Sequence, residues 1–143
     1  MFREQKSSMN QAPCPMNHAQ SEILMKSVFR FEDFEIWKDG IHITKSLLAI
    51  ANDLEDKKYY RFAEQLRAAA MSITNNIAEG SGSFSDKEFA QFLNISRRSI
   101  FECVNILIIL MEIGHINLIV LDEHKDRLDH LSRKITLFRK SLS

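Results

Sequence analysis

An all-α fold, an up-down-up-down antiparallel four-helix bundle, follows from three features of the sequence. Both prolines, Pro13 and Pro15, lie near its start, so no later residue forbids a continuous helix. From Phe31 onward the apolar residues recur at steps of three and four, the period of a helix that buries one face. Four such stretches of about 20 to 29 residues are separated by short connections, and short connections make antiparallel neighbours.

Residues 1–30 are rich in Ser, Asn and Gln, carry the rigid Pro13-Cys14-Pro15 element and hold no sustained period. They are expected to be a disordered leader, with Met25 as an alternative start, and residues 31–143 to be the bundle domain. The first helix is predicted from about Phe34 to Leu54, on the spacing of Ile36, Gly40, Ile41, Thr44, Leu47, Leu48, Ala51 and Leu54. Gly40 within it points to a close helix contact. The second runs from about Tyr59 to Glu79 through Ala63, Leu66, Ala70, Ile73 and Ile77, and Gly80 is expected to cap its C-terminus.

A Gly-Ser loop follows and ends at Ser85, which forms a capping box with Glu88: hydroxyl and carboxylate each satisfy an orphan backbone donor. The third helix then reaches Ile113, with Gly114 as its stop, about 43 Å long at 1.5 Å per residue. The last is predicted from about Leu121 to Leu142, where Leu121, Leu128, Leu131, Ile135, Phe138 and Leu142 keep heptad-like spacing. Asp122 and Glu123 suit its positive end and Arg139 and Lys140 its negative one.

Composition narrows the function classes. The 143 residues are 45% apolar and 27% charged, which fits one ordinary globular domain able to form a core without disulfides or metal. Nineteen basic residues balance nineteen acidic ones, and beyond Arg30 fifteen stand against seventeen, a net charge of −2. Bulk electrostatic attraction to nucleic acid is therefore excluded, while a local basic patch is not. Two cysteines, Cys14 in the leader and Cys103 in an apolar run, are the usage of a reducing compartment, so a cytoplasmic location is expected. No run of about 18 apolar residues offers a membrane span, and the first thirty residues lack a secretion signal.

The third helix carries Val104, Ile106, Leu107, Ile108, Ile109, Leu110 and Met111, interrupted only by Asn105. One bundle interior cannot cover that circumference, so self-association is expected, against the simpler reading of a helix wedged among its neighbours. Gln65, Ser72, Asn76 and Glu79 on the second helix, with Ser99 and Glu102 on the third, form a polar strip beside the apolar seam. An interhelical hydrogen-bond network that fixes register is one reading, and a small-ligand or metal pocket the other.

No nucleophile lies beside a base, since no His occurs between His42 and His115, and no catalytic residue is assigned. Glu112-x-x-His115 matches half of a di-metal pattern once, but Gly114 should end the helix before His115 can turn inward, so no metal or other cofactor is assigned. His18, His124 and His130 are expected to be solvated, and Cys103 to behave as a small apolar group. Basic residues gather at Lys57, Lys58 and Arg61, at Arg97 and Arg98, and at Arg133, Lys134, Arg139 and Lys140. The last six are candidate nucleic-acid contacts, although a solvated helix face explains any one alone.

From about Phe31 to Ile116 the chain resembles a known family. Phe31-Glu32-Asp33-Phe34-Glu35-Ile36-Trp37 opens the first helix, Gln65-Leu66-Arg67-Ala68-Ala69 and Ser72-Ile73 follow, and Asn76-Ile77-Ala78-Glu79-Gly80 closes the second. Phe89, Phe92, Leu93, Ser99 and Glu102 continue the pattern. This is similar to the four-helix-bundle proteins of 23S ribosomal-RNA intervening sequences, which include the accessory protein of diversity-generating retroelements. The resemblance implies a homopentameric ring, no established enzymatic activity and, for the retroelement member, binding of a reverse transcriptase and RNA; further copies of the chain, RNA or DNA, and a reverse transcriptase are the partners expected here. Thr74 departs from the proline the family often places there. The expected function is thus a non-catalytic oligomeric scaffold, with a small-ligand or metal-binding bundle as the alternative.

Overall fold

The computed structural model describes residues 27–142, so nearly all of the expected leader, Cys14 and His18 included, lies outside the described residues. A 3-10 helix, Arg30–Asp33, leads into four α-helices: α1 (Glu35–Asp56), α2 (Tyr60–Ser81), α3 (Asp86–Glu112) and α4 (Leu118–Ser141). There is no strand among the described residues. The chain enters through Glu32, whose carboxylate accepts from the N–H groups of Val28 and Phe29 at 2.7 and 3.0 Å.

Helix ends follow local chemistry. Ser85 starts α3 by accepting from the N–H of Glu88 at 3.2 Å. Gly114 ends it at φ +80°, its N–H reaching Met111 O while that of His115 reaches Leu110 O, the paired bonds of a Schellman motif. Lys58 takes the same role after α1, with φ +69°, where glycine is the usual occupant.

Two boundaries differ from the sequence reading. Gly80 is not the cap of α2, because the helix runs one residue further and Gly82 caps it. A Cβ on Gly80 would lie 2.6 Å from Phe92 Cβ, so its hydrogen serves helix approach. The last helix begins three residues before Leu121, because Asn117 caps it by accepting from the N–H of Val120 at 2.8 Å.

Contacts across each seam run in opposite chain directions. On α1 and α2, Gly40 faces Thr74 and Thr44 donates to Ala70 O at 3.2 Å. On α2 and α3, Ser96 donates to Ile73 O at 2.7 Å, while Gly80 meets Phe89 and Phe92. On α1 and α4, Ser46 meets His124 and Asp39 meets Lys134. Rising numbers on one helix meet falling numbers on the next at these three seams, which leaves α3 and α4 antiparallel as well, the pattern of an antiparallel four-helix bundle.

The core holds Ile43, Leu47, Leu54, Leu66, Ile73, Ile77, Leu93, Ile100, Leu107, Leu110 and Leu128, each almost wholly buried. Such burial stabilises by roughly 1.5–3 kcal/mol per side chain. Ile41 and Leu48, expected on this face, are half-buried, and Ile43 stands inside instead. Phe34, Phe89 and Phe138 close one end with centroids 5.0 to 6.1 Å apart, and Arg30 lies over Phe34 and Phe89.

Candidate functional site

Among the described residues, the apolar run of α3 is not enclosed by the neighbouring helices. Cys103, Ile106, Leu107 and Leu110 point inward and are buried, but Ile108 and Ile109 are exposed, as are Ile95 and Ile113 on the same helix. Phe101 is 57% exposed and Leu137, on α4, 67%. The wedge reading fails for a simple reason: α3 packs between α2 and α4, and its third side faces outward.

Arg97, Phe101, Arg133, Thr136 and Leu137 line a groove of about 530 Å³ between α3 and α4. The Arg97 guanidinium lies 4.9 Å from the Phe101 ring centroid, a cation–π contact, and its Nε is buried without a hydrogen-bond partner. Arg133 also borders the groove but donates to Asp129 at 2.9 Å.

Of the six candidate nucleic-acid contacts, only Arg97 and Arg133 share this groove. Lys134, one residue on, faces the α1–α4 seam and donates to Asp39 at 2.7 Å, with Glu35 at 3.8 Å. The hydrogen bond to Asp39 and its charge hold the Lys134 ammonium above its usual pKa. Arg98 stands exposed on α3, and Arg139 and Lys140 are exposed in the last turn of α4. Lys57, Lys58 and Arg61 are exposed at the other end, where Lys57 pairs with Asp53 at 2.9 Å.

The polar strip divides. The hydroxyls of Ser72 and Ser99 are 2.7 Å apart, and the Asn76 amide donates to Ser72 Oγ at 2.9 Å and to Ser72 O at 2.7 Å. These three make an interhelical network whose polar groups satisfy one another. Gln65, Glu79 and Glu102 are not interior: all three are exposed, because their positions fall outside the α2–α3 contact arc.

The histidines correct another expectation. His124 is 6% exposed, not solvated, with its ring nitrogens 2.9 Å from Ser46 Oγ and 2.8 Å from Val120 O. His130 is exposed. His115 stacks on Tyr59 at 3.9 Å, set there by the turn at Gly114. No group of three His, Cys, Asp or Glu side chains among the described residues is placed to hold a metal. Cys103 is buried, and burial, with the Glu102 charge, pushes its thiol up to about 12. Among the described residues no helix is long and apolar enough to cross a membrane.

Sequence reasoning missed Phe101 and Leu137, the apolar walls of the groove, as well as Asp39 and the Ser46–His124 pair. Phe101 and Ile108 are seven residues apart, and that spacing was the available signal. The partners of Lys134 and His124 lie 95 and 78 residues away, beyond any local pattern.

Compared with models of protein families, residues 32–137 match that of the 23S rRNA-intervening sequence protein. No curated protein matches the chain.

Proposed function

The chain belongs to the 23S rRNA-intervening sequence protein family, and on that premise we propose that it is a non-catalytic oligomeric scaffold that contacts RNA. The observation that carries this reading is the apolar surface left exposed on α3 and α4, among the described residues, by Phe101, Ile108 and Leu137. A monomer gains little by exposing such side chains, two of which line one groove, whereas copies that cover them gain ~25 cal/mol per Å². A homopentameric ring, which the resemblance of the sequence implies, is the assembly we propose. In a ring every basic patch recurs once per subunit, so weak phosphate contacts add through multivalency despite the neutral overall charge.

The groups suited to such contacts are those without an acidic partner. Arg98, Arg139 and Lys140 are exposed, while Arg133 and Lys134 are engaged by Asp129 and Asp39. The same basic surface would serve a nucleic-acid enzyme such as a reverse transcriptase, and a cytoplasmic location agrees with the buried free thiol of Cys103.

Light scattering combined with RNA titrations at several salt concentrations tests the proposal. A discrete oligomer whose RNA affinity falls with salt is expected, with a shallower slope after Arg98, Arg139 and Lys140 are changed to Ala. A monomer at micromolar concentration removes the assembly, and salt-independent binding removes the phosphate contacts.

A further inference from the structure

We propose that copies of the chain join head to tail, the α3–α4 groove of one receiving the opposite flank of α3 of the next, with Arg97 of the first paired to Glu102 of the second. This rests on the self-association proposed above and specifies the surfaces that produce it. Helix α3 carries two exposed apolar stripes. One, Arg97-Phe101, borders α4 and continues onto Leu137, with the exposed Ile108 seven residues past Phe101 on the same helix face. The other, Ile95-Glu102-Ile109, repeats every seven residues. Ser99, four residues past Ile95, bonds Ser72 of α2, which puts this second stripe on the α2 side.

Positions 101 and 102 are about 100° apart around a helix axis, so the stripes face different directions. A contact between two unlike patches is heterologous, and it closes into a ring when the rotation allows. The charges select the unlike pairing. Arg97 makes no ion pair or hydrogen bond among the described residues, although its Nε is buried and its guanidinium is held against Phe101. Glu102 is exposed and likewise without an ion pair among the described residues. Of the nearby charges on α4, Arg133 is engaged by Asp129 and Lys134 by Asp39, while Arg98, four residues before Glu102 on α3, is exposed without an ion pair among the described residues.

The first stripe therefore presents apolar side chains and the uncommitted Arg97, and the second presents apolar side chains and the uncommitted carboxylate of Glu102, with Arg98 beside it. A carboxylate entering the groove would meet the free end of the guanidinium in a charge-assisted, two-bond geometry. Like stripes facing each other would instead set Arg97 against Arg97. A phosphate of RNA, which carries no apolar side chains beside it, fits this groove less well, since Phe101 and Leu137 form its walls.

Charge reversal in the full chain tests the pairing by light scattering over a concentration series. Arg97→Glu alone and Glu102→Arg alone are each expected to raise the concentration needed for assembly about tenfold or more, and the double variant to return it toward wild type. An equimolar mixture of the two single variants is expected to assemble better than either alone but less well than wild type, because the two cannot alternate all the way round a five-membered ring and at least one joint keeps like charges together. Circular dichroism follows helix content, and Arg97→Gln with Glu102→Gln repeats the series if a reversal disturbs the fold.

Single variants that assemble like wild type, or a double variant no better than the singles, overturn the pairing while leaving self-association intact. Loss of RNA binding by Arg97→Glu at unchanged mass overturns it too, and assigns the groove to phosphate. A monomeric wild type overturns both this inference and the assembly beneath it.

Discussion

The hydroxyl of Ser46 and Nε2 of His124 stand 2.9 Å apart across the α1–α4 seam, and Nδ1 of the same ring lies 2.8 Å from Val120 O. A carbonyl only accepts, so in the neutral ring Nδ1 carries the proton and Nε2 accepts from Ser46. Ser46→Ala strands a buried acceptor and is expected to lower stability by about 1–3 kcal/mol. Urea unfolding at fixed pH measures it, and an unchanged midpoint would show that the bond contributes nothing.

Gly40 and Gly80 both admit a neighbouring helix, but they should not tolerate Ala equally. At Gly80 the new methyl would meet Phe92 Cβ at 2.6 Å and Phe89 Cδ2 at 2.8 Å, atoms held by the core. At Gly40 the one short approach would be to the Thr74 methyl at 2.9 Å, with Ile73 Cγ2 at an ordinary 3.9 Å, both at the α1–α2 seam. Ala gains about 1 kcal/mol of helix propensity over Gly, and overpacking costs about 1–3 kcal/mol or more. Gly80→Ala is therefore expected to destabilise clearly and Gly40→Ala to be milder; thermal melts that reverse this order would contradict the packing.

The four helices were legible because their apolar spacing is local information, and so were Ser85 and Gly114, whose chemistry acts within three or four residues. Gly80 was legible as special but not as to purpose, since a cap and a close approach both call for a missing side chain and only the partner helix decides. Asn117 was hidden by Asp122 and Glu123, which also suit a helix start. Adjacent residues Arg133 and Lys134 read as one patch in sequence, yet they sit about 100° apart on α4 and face different seams. The excess apolar surface of α3 was legible, and the Phe101–Ile108 spacing hinted at its face, but the groove itself was not, because Arg97 and Arg133 are brought together by a tertiary contact.

Cys103 offers a probe of opening. Its thiol is pushed from the ordinary 9.0 up to about 12, so at pH 8 the folded chain presents almost no thiolate and little access. In a Cys14→Ser chain, leaving Cys103 as the one thiol, alkylation should proceed at the rate of unfolding. The same shift sets a pH dependence. The unfolded thiol loses its proton near 9 while the folded one keeps it, so stability is full below pH 9 and falls between about 9 and 12. Rapid labelling of the folded chain at pH 8 would show that the site is open.

Two left-handed residues end two helices with opposite consequences. Lys58, at φ +69°, bears a Cβ where its backbone disfavours one, whereas Gly114, at φ +80°, does not. Lys58 is exposed, and a Cβ on Gly114 would meet no atom within 4 Å, so neither change alters packing. Only the backbone preference remains, worth roughly 1 kcal/mol. Lys58→Gly should raise stability by up to that amount, since added freedom in the unfolded chain offsets part of the gain, and Gly114→Ala should lower it by about as much. Denaturant midpoints of the two variants decide the matter: shifts of the same sign would mean that the turns are not held by the bonds from Tyr59 N–H to Leu54 O and from His115 N–H to Leu110 O.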